Sequence, residues 1–399
     1  MAKQRNVLFL LRSYNDIDHV APIIWKAVNA NIPCLYFFTD QDLDTDHRIQ
    51  FLAKHGASRL CVPALTCYHR ARMLIKPRRL RRVFDYLTSF SIGVWYLVSK
   101  DISCIVNEWS GPFGRGMAEY FLRAGSLLNL KCICVPHGYH FWKNTIINTG
   151  VKDHVEKFGS LPSFADRARY TTYVVQTENI RNYYLAHGMP VHRLQVLGSA
   201  RFCEEWRKTL SRFSPKLPMD QPDTQELSIV MFIPDWSYFI DRTATISLIN
   251  ALAKIPRVHL LIKQNTRGTG TISHDELEPL NQGRGALIVG DECHSPSLIS
   301  RADCLINFAS SIGLEALGQG KLVLNPTYLT GNETIFDESG AVIDASTEKH
   351  MIELVSDLQQ NCLKEPPSRE TIDNFLHKHV DAGLPSDSVL QGYVDLITA

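Results

Sequence analysis

The sequence has almost no excess of charge. Lys and Arg number 42 and Asp and Glu 41, a formal net charge of +1 over 399 residues. Proteins whose main task is to grip a nucleic-acid backbone usually carry a strongly basic surface, so no nucleic-acid partner is expected. Long apolar runs are missing too. No run approaches the roughly 20 residues needed to cross a bilayer as a helix. The first, Val7 to Leu11, follows a charged start. It is too short for the core of a secretory signal and reads as a first buried strand. A cytoplasmic protein is expected. Repeats and low-complexity tracts are absent. The 45% hydrophobic and 21% charged residues are globular values that exclude disorder. The length suits two domains or one large α/β unit.

Zinc-type cysteine spacing is also lacking. There are ten cysteines, but Cys34, Cys61, Cys104, Cys132, Cys134 and Cys304 lie in apolar, strand-like runs, where a free thiol acts as a small hydrophobe. Cys132 and Cys134 share one face of a strand and do not have the two-residue gap of a zinc knuckle. No metal and no cofactor is expected, and many free thiols suit a reducing compartment. The first strand end lacks the Gly-x-Gly-x-x-Gly of dinucleotide folds, which argues against a dehydrogenase. Tyr14-Asn15-Asp16-Ile17-Asp18-His19 stands there instead.

What is present is alternation of short apolar runs and longer helical patterns. Strands are expected at Val7–Leu11, Cys34–Phe38, Arg59–Val62, Ile102–Val106, Lys131–Val135, Tyr173–Gln176 and Leu194–Leu197. Helices are expected from about His19 to Asn29, at Asp44–His55, Leu80–Val98 and Arg115–Leu128. Residues 211–226 hold three prolines and read as a linker. The pattern then restarts, with strands at Ile229–Ile233, Val258–Lys263, Ala286–Val289, Cys304–Asn307 and Leu322–Asn325. After Ala345 it is mostly helical. Such alternation predicts parallel sheets with helices on both faces. The expected layout is a first Rossmann-like domain at 1–210, the linker, and a second domain at 227–399 with a helical C-terminus, facing each other across a cleft. Ligands in such folds bind beyond the carboxyl ends of the strands.

The chemistry-bearing residues fall at those ends. Cys304–Asn307 runs into Phe308-Ala309-Ser310-Ser311-Ile312-Gly313-Leu314-Glu315. Two hydroxyls at the start of a helix, with its free N–H groups and dipole, predict a phosphate cradle. Gly313 would let a ligand approach the backbone, and Glu315 falls on the Ser311 face to meet ribose hydroxyls. Ser311 as a simple N-cap is the plainer alternative. Lys263 ends its strand, and Arg267 follows on a glycine-flanked loop; either can neutralise a diphosphate. In the first half, His137 lies between strand end and glycine in Pro136-His137-Gly138, where it can act as acid, base or phosphate ligand. Glu108 ends the Ile102 strand, and a desolvated carboxylate there qualifies as a general base. Asp16 qualifies equally. Asp18, His19 and Arg115 are candidate acceptor contacts, with Asp18 as a helix N-cap the bland reading.

Ser310-Ser311-Ile312-Gly313-Leu314-Glu315-Ala316, the strand end Leu261-Ile262-Lys263-Gln264, and Pro136-His137-Gly138 resemble the GT-B group of bacterial surface-polysaccharide transferases. Capsule and lipopolysaccharide Kdo or sialic-acid transferases and CDP-glycerol glycerophosphotransferases are the most similar; UDP-GlcNAc 2-epimerases share the architecture. The resemblance implies a nucleotide-phosphate role for Ser310 and Ser311 and a cleft position for His137. Gly198-Ser199-Ala200-Arg201 resembles a hinge stretch of the same enzymes. At Lys263-Gln264-Asn265 those that use CMP-sugars carry a His-Pro pair, and this chain does not.

The resemblance implies a metal-independent, inverting glycosyltransferase that uses a CMP- or other nucleotide-activated sugar, with a glycan or lipid-linked acceptor. Glycerophosphotransfer, sugar epimerisation and a non-catalytic assembly subunit are the alternatives. One segment stands apart. Seven Lys and Arg and no acid lie between His69 and Arg82, ahead of an apolar, aromatic stretch. The cluster suggests peripheral contact with the inner face of the plasma membrane; the helix after it reads as core.

Overall fold

A computed structural model describes residues 4–108, 117–218, 226–264, 271–273, 276–277, 286–290 and 292–399. Contacts divide the chain into two compact units. The first comprises 1–139, 163–207 and 379–399, and the second 140–162 and 208–378. The chain therefore passes between the units more often than one break at 211–226 implies.

The first unit is built on β1 (Asn6–Leu11), β2 (Cys34–Phe38), β3 (Ser58–Arg59), β4 (Ile102–Glu108), β5 (Lys131–Val135), β6 (Thr172–Val175) and β7 (Leu194–Val196). All pair in parallel, in the order β3-β2-β1-β4-β5-β6-β7. Parallel strands covered on both faces must be apolar almost throughout, and Val7 to Leu11 are all at most 1% exposed. The order reverses direction between β1 and β4. The helix after β1 spans Tyr14–Asn29, longer than expected, and keeps Pro22 well inside it. The expected Arg59–Val62 strand shrinks to two paired residues at the sheet edge.

The return of the chain at 379–399 was not expected. The helix Ser388–Thr398 buries Val389, Leu390, Tyr393, Val394 and Ile397 and packs on the helix Tyr14–Asn29. Burial of this kind is worth about 1.5–3 kcal/mol per large apolar side chain. Two polar contacts fix its position. The Ser199 N–H donates to the Val380 carbonyl at 2.7 Å, and the Tyr393 hydroxyl donates to the Gly198 carbonyl at 2.9 Å. Gly198 has φ +77°, and a Cβ there would sit 2.8 Å from the Val380 carbonyl. Packing thus accounts for Gly198 and Ser199.

The second unit holds β8 (Leu227–Ile233), β9 (Val258–Gln264), β10 (Ala286–Val289), β11 (Cys304–Asn307), β12 (Leu322–Pro326) and β13 (Ile343–Ala345). These too are all parallel, in the order β10-β9-β8-β11-β12-β13. The reversal falls between β8 and β11. Residues 140–162 join this unit through an isolated bridge between Trp142 and Thr334 and a stack of Trp142 on Tyr238 at 5.2 Å. Both units are doubly wound, as expected, and helices dominate after β13.

Candidate active site

Three expected residues meet at the carboxyl edge of the first sheet, where the strand order reverses. Glu108 is the last residue of β4 and pairs in register with Val135 of β5. His137 follows two residues later. Its Nδ1 lies 2.6 Å from Glu108 Oε1. Asp16 comes from the first turn of the helix after β1. Its carboxylate accepts from the Arg12 N–H at 2.8 Å and from the Ser13 hydroxyl at 2.7 Å.

A carboxyl oxygen of Glu108 lies within 4.8 Å of one of Asp16. Burial alone would raise the Asp16 pKa. The neighbouring Glu108 carboxyl, hydrogen bonds from Ser13 and the Arg12 N–H, and the Arg12 charge outweigh burial and hold it below the ordinary value. Asp16 is therefore held as the anion. Glu108 and Asp16 are 0% and 1% exposed, whereas the His137 side chain is 29% exposed. The imidazole is the member that solvent reaches. Among the described residues these three also form a group able to hold a metal ion, their ligand atoms lying within 4.8 Å of one another.

The other first-half candidates have protein partners. His19 is 6% exposed, and its Nε2 accepts from the Gly138 N–H at 3.1 Å. That bond requires an unprotonated Nε2. Burial, with the Arg201 charge, lowers its pKa to about 3. Asp18 lies inside the helix and does not cap it. It pairs with Arg48 and, at 3.2 Å, with Arg201. Arg48 is buried, stacks on the Tyr14 ring at 4.2 Å, and binds Asp46 at 2.8 Å. Asp18 and His19 thus brace the helix beside the cluster. Arg115 lies outside the described residues.

In the second unit, β11 ends at Asn307 and the helix Ile312–Gly318 begins after Ser311, its N-cap. Ala309 holds φ +50° in the turn, a left-handed conformation that costs a non-glycine residue about 1–2 kcal/mol. The Asn307 amide donates to the Ser310 carbonyl at 3.0 Å, and Ser310 Oγ accepts from the Ile312 N–H at 3.4 Å. Ser310 and Ser311 are half-buried, and Glu315 is buried. Gly313 has a packing reason. A Cβ there would lie 2.7 Å from Asn307 Nδ2 and 2.9 Å from the Phe336 ring. The Lys263 ammonium donates to the Gly290 carbonyl at 2.6 Å. Arg267 lies outside the described residues. Asp235, at the end of β8, caps a short turn by accepting from the Ser237 N–H at 2.8 Å. Asn307 was missed by the sequence reading. The signal was available, a polar residue closing an apolar strand, and the same signal had marked Glu108.

No family model matches this sequence, and no curated protein matches it. Solved structures do match in shape. The UDP-GlcNAc 2-epimerase of Neisseria meningitidis, bound to UDP-GlcNAc, is 15% identical with a TM-score of 0.60, covering 98% of each chain. A glycosyltransferase from Rickettsia africae is 10% identical with a TM-score of 0.56, over 99% of this chain and 98% of that one. The UDP-GlcNAc 2-epimerase of Methanocaldococcus jannaschii is 11% identical with a TM-score of 0.52, over 93% and 98%. The fold is GT-B-like, two parallel-sheet Rossmann-like units shared with glycosyltransferases and epimerases.

Proposed function

We propose that this protein is a metal-independent, inverting glycosyltransferase that moves a sugar from a nucleotide-activated donor to a surface polysaccharide or lipid-linked glycan. The single observation that carries the reading is the Asp16–Glu108–His137 cluster at the switch point of the first sheet. Folds of this class bind ligands at such points, and the cluster has the parts of a general base held by buried carboxyl groups.

In this reading His137 is the base, because the carboxyl groups behind it are closed to solvent. Its Nδ1–H donates to Glu108, and Nε2 takes the acceptor hydroxyl proton. The acceptor oxygen forms a bond to the anomeric carbon as the carbon–oxygen bond to phosphate breaks. The electron pair leaves with the nucleotide. The new imidazolium charge is offset by the buried carboxyl groups of Glu108 and Asp16 beside it. The second unit holds the donor, with Ser310 and Ser311 on the phosphate, Lys263 and Arg267 offsetting its charge, and Glu315 on the ribose. Fixed donors and cations can stabilise the leaving phosphate without a metal.

The test has two parts. Thermal-shift measurement with CMP, CDP, UDP and GDP identifies the donor class, since a ligand bound only by the folded state raises the melting temperature. Turnover of the matching nucleotide sugar is then compared in the natural chain and His137→Gln. Loss of the base is expected to lower kcat by about 10²–10⁴-fold. Unchanged turnover in His137→Gln would overturn the assignment. Nucleotide release without an acceptor, with a C2-inverted sugar as product, would convert the reading to an epimerase. Intact glycan production in cells carrying Ser311→Ala with Glu315→Ala would favour a non-catalytic subunit.

A further inference from the structure

The segment from Pro63 to Ser99 forms helices at Pro63–Leu74, Arg78–Thr88 and Val94–Ser99, the last two joined by a π-helical turn at Ser89–Gly93. The apolar part reads as core by pattern, yet much of it faces out. Leu80, Val83, Leu87, Phe90, Trp95 and Val98 are each 56–63% exposed. Their steps of three and four follow one helical face. The five-residue step from Phe90 to Trp95 crosses the π turn, whose i to i+5 spacing keeps both on one side.

The opposite face is pinned. Asp85, Thr88 and Leu97 are buried, and the Tyr120 hydroxyl donates to Asp85 at 3.4 Å. A Cβ on Gly93 would lie 2.9 Å from both the Tyr120 carbonyl and the Ala124 methyl. The inner face is thus fitted to the helix Ala118–Leu127, and the apolar stripe is held outward. Exposed cations accompany it at Arg70, Lys76, Arg79, Arg82 and Lys100, while the one acid between 63 and 100, Asp85, is buried.

We infer that this face docks on an anionic lipid surface. An apolar stripe edged by Lys and Arg, with an aromatic residue in it, suits the headgroup boundary, where apolar side chains enter the acyl layer and cations meet lipid phosphate. A second copy of the chain docked face to face would set these cations against their own copies. No helix among the described residues is long and apolar enough to cross a membrane, so the contact is interfacial. The inference stands on this surface alone and does not depend on the reaction proposed above.

Co-sedimentation of the full chain with phosphatidylcholine vesicles, with and without phosphatidylglycerol, tests it. Binding is expected only with phosphatidylglycerol and is expected to weaken as salt rises. Leu87→Ser with Phe90→Ser, and separately Arg79→Glu with Arg82→Glu, are each expected to weaken it at least about tenfold at unchanged melting temperature. Brominated lipid is expected to quench Trp95, and Trp95→Phe to abolish that quenching. Equal binding to neutral vesicles, no binding by the natural chain, or unchanged binding in both double variants would overturn the inference. So would concentration-dependent self-association lost in the Leu87/Phe90 variant while vesicle binding persists, which would assign the face to a second copy.

Discussion

Replacing His19 by Gln removes a titrating ring while leaving an acceptor for the Gly138 N–H. The folded imidazole ionises only at about 3, against 6.5 in the unfolded chain, because it is buried, with the Arg201 charge next in effect. Between those values the unfolded chain takes up a proton that the folded chain refuses. The contribution is therefore whole above pH 6.5 and drains away as pH falls toward 3. Each pH unit in that window is worth about 1.4 kcal/mol. Between pH 7 and pH 5 the natural chain should lose about 2 kcal/mol that His19→Gln keeps. Urea unfolding of both proteins at pH 7, 6 and 5 measures the difference, and the other titrating groups cancel in the comparison. Parallel stability curves would refute the argument. They would mean that the folded ring accepts its proton normally, so that it neither takes the Gly138 hydrogen bond nor sits shielded beneath the cluster.

Gly313→Ala should destabilise the second unit by about 1–3 kcal/mol through overpacking against Asn307 and Phe336; a melting temperature equal to that of the natural chain would show that the neighbours give way. Gly198→Ala combines a positive φ with a 2.8 Å approach to the Val380 carbonyl. It should cost about 1–3 kcal/mol and speed proteolytic loss of the C-terminal helix, read by mass spectrometry over a digestion course. Treatment with EDTA should leave turnover unchanged, because in the proposed reaction fixed donors and cations offset the leaving phosphate charge without a metal. Loss of turnover restored by a divalent ion would make the cluster a metal site instead.

Much of the fold is legible in the sequence, because a strand covered on both faces must be an unbroken apolar run. β1, β2, β5, β10 and β11 could be marked almost to the residue for that reason. Each candidate site residue was also visible singly, at or just beyond the end of such a run. The partnership of those residues was not visible. Glu108 and Asp16 read as rivals for one role until the pairing of β1 with β4, and of β4 with β5, set them and His137 side by side. Sequence distance carries no information about which strands become neighbours. Nor did it show that His19 and Asp18 turn inward to Gly138, Arg48 and Arg201, since a helix first turn reads alike whichever face it buries.

The same limit applies to larger elements. The periodicity of the helix Ser388–Thr398 required an apolar partner without naming it, and the structure supplies the first unit through Gly198 and Ser199. The Leu80–Val98 pattern likewise required one covered face. The sequence determined that these helices are amphipathic, where the strands run, and which residues close them. Only tertiary structure decided which neighbour covers each face and which strand ends converge, because burial and proximity belong to the packed chain and not to any local segment of it.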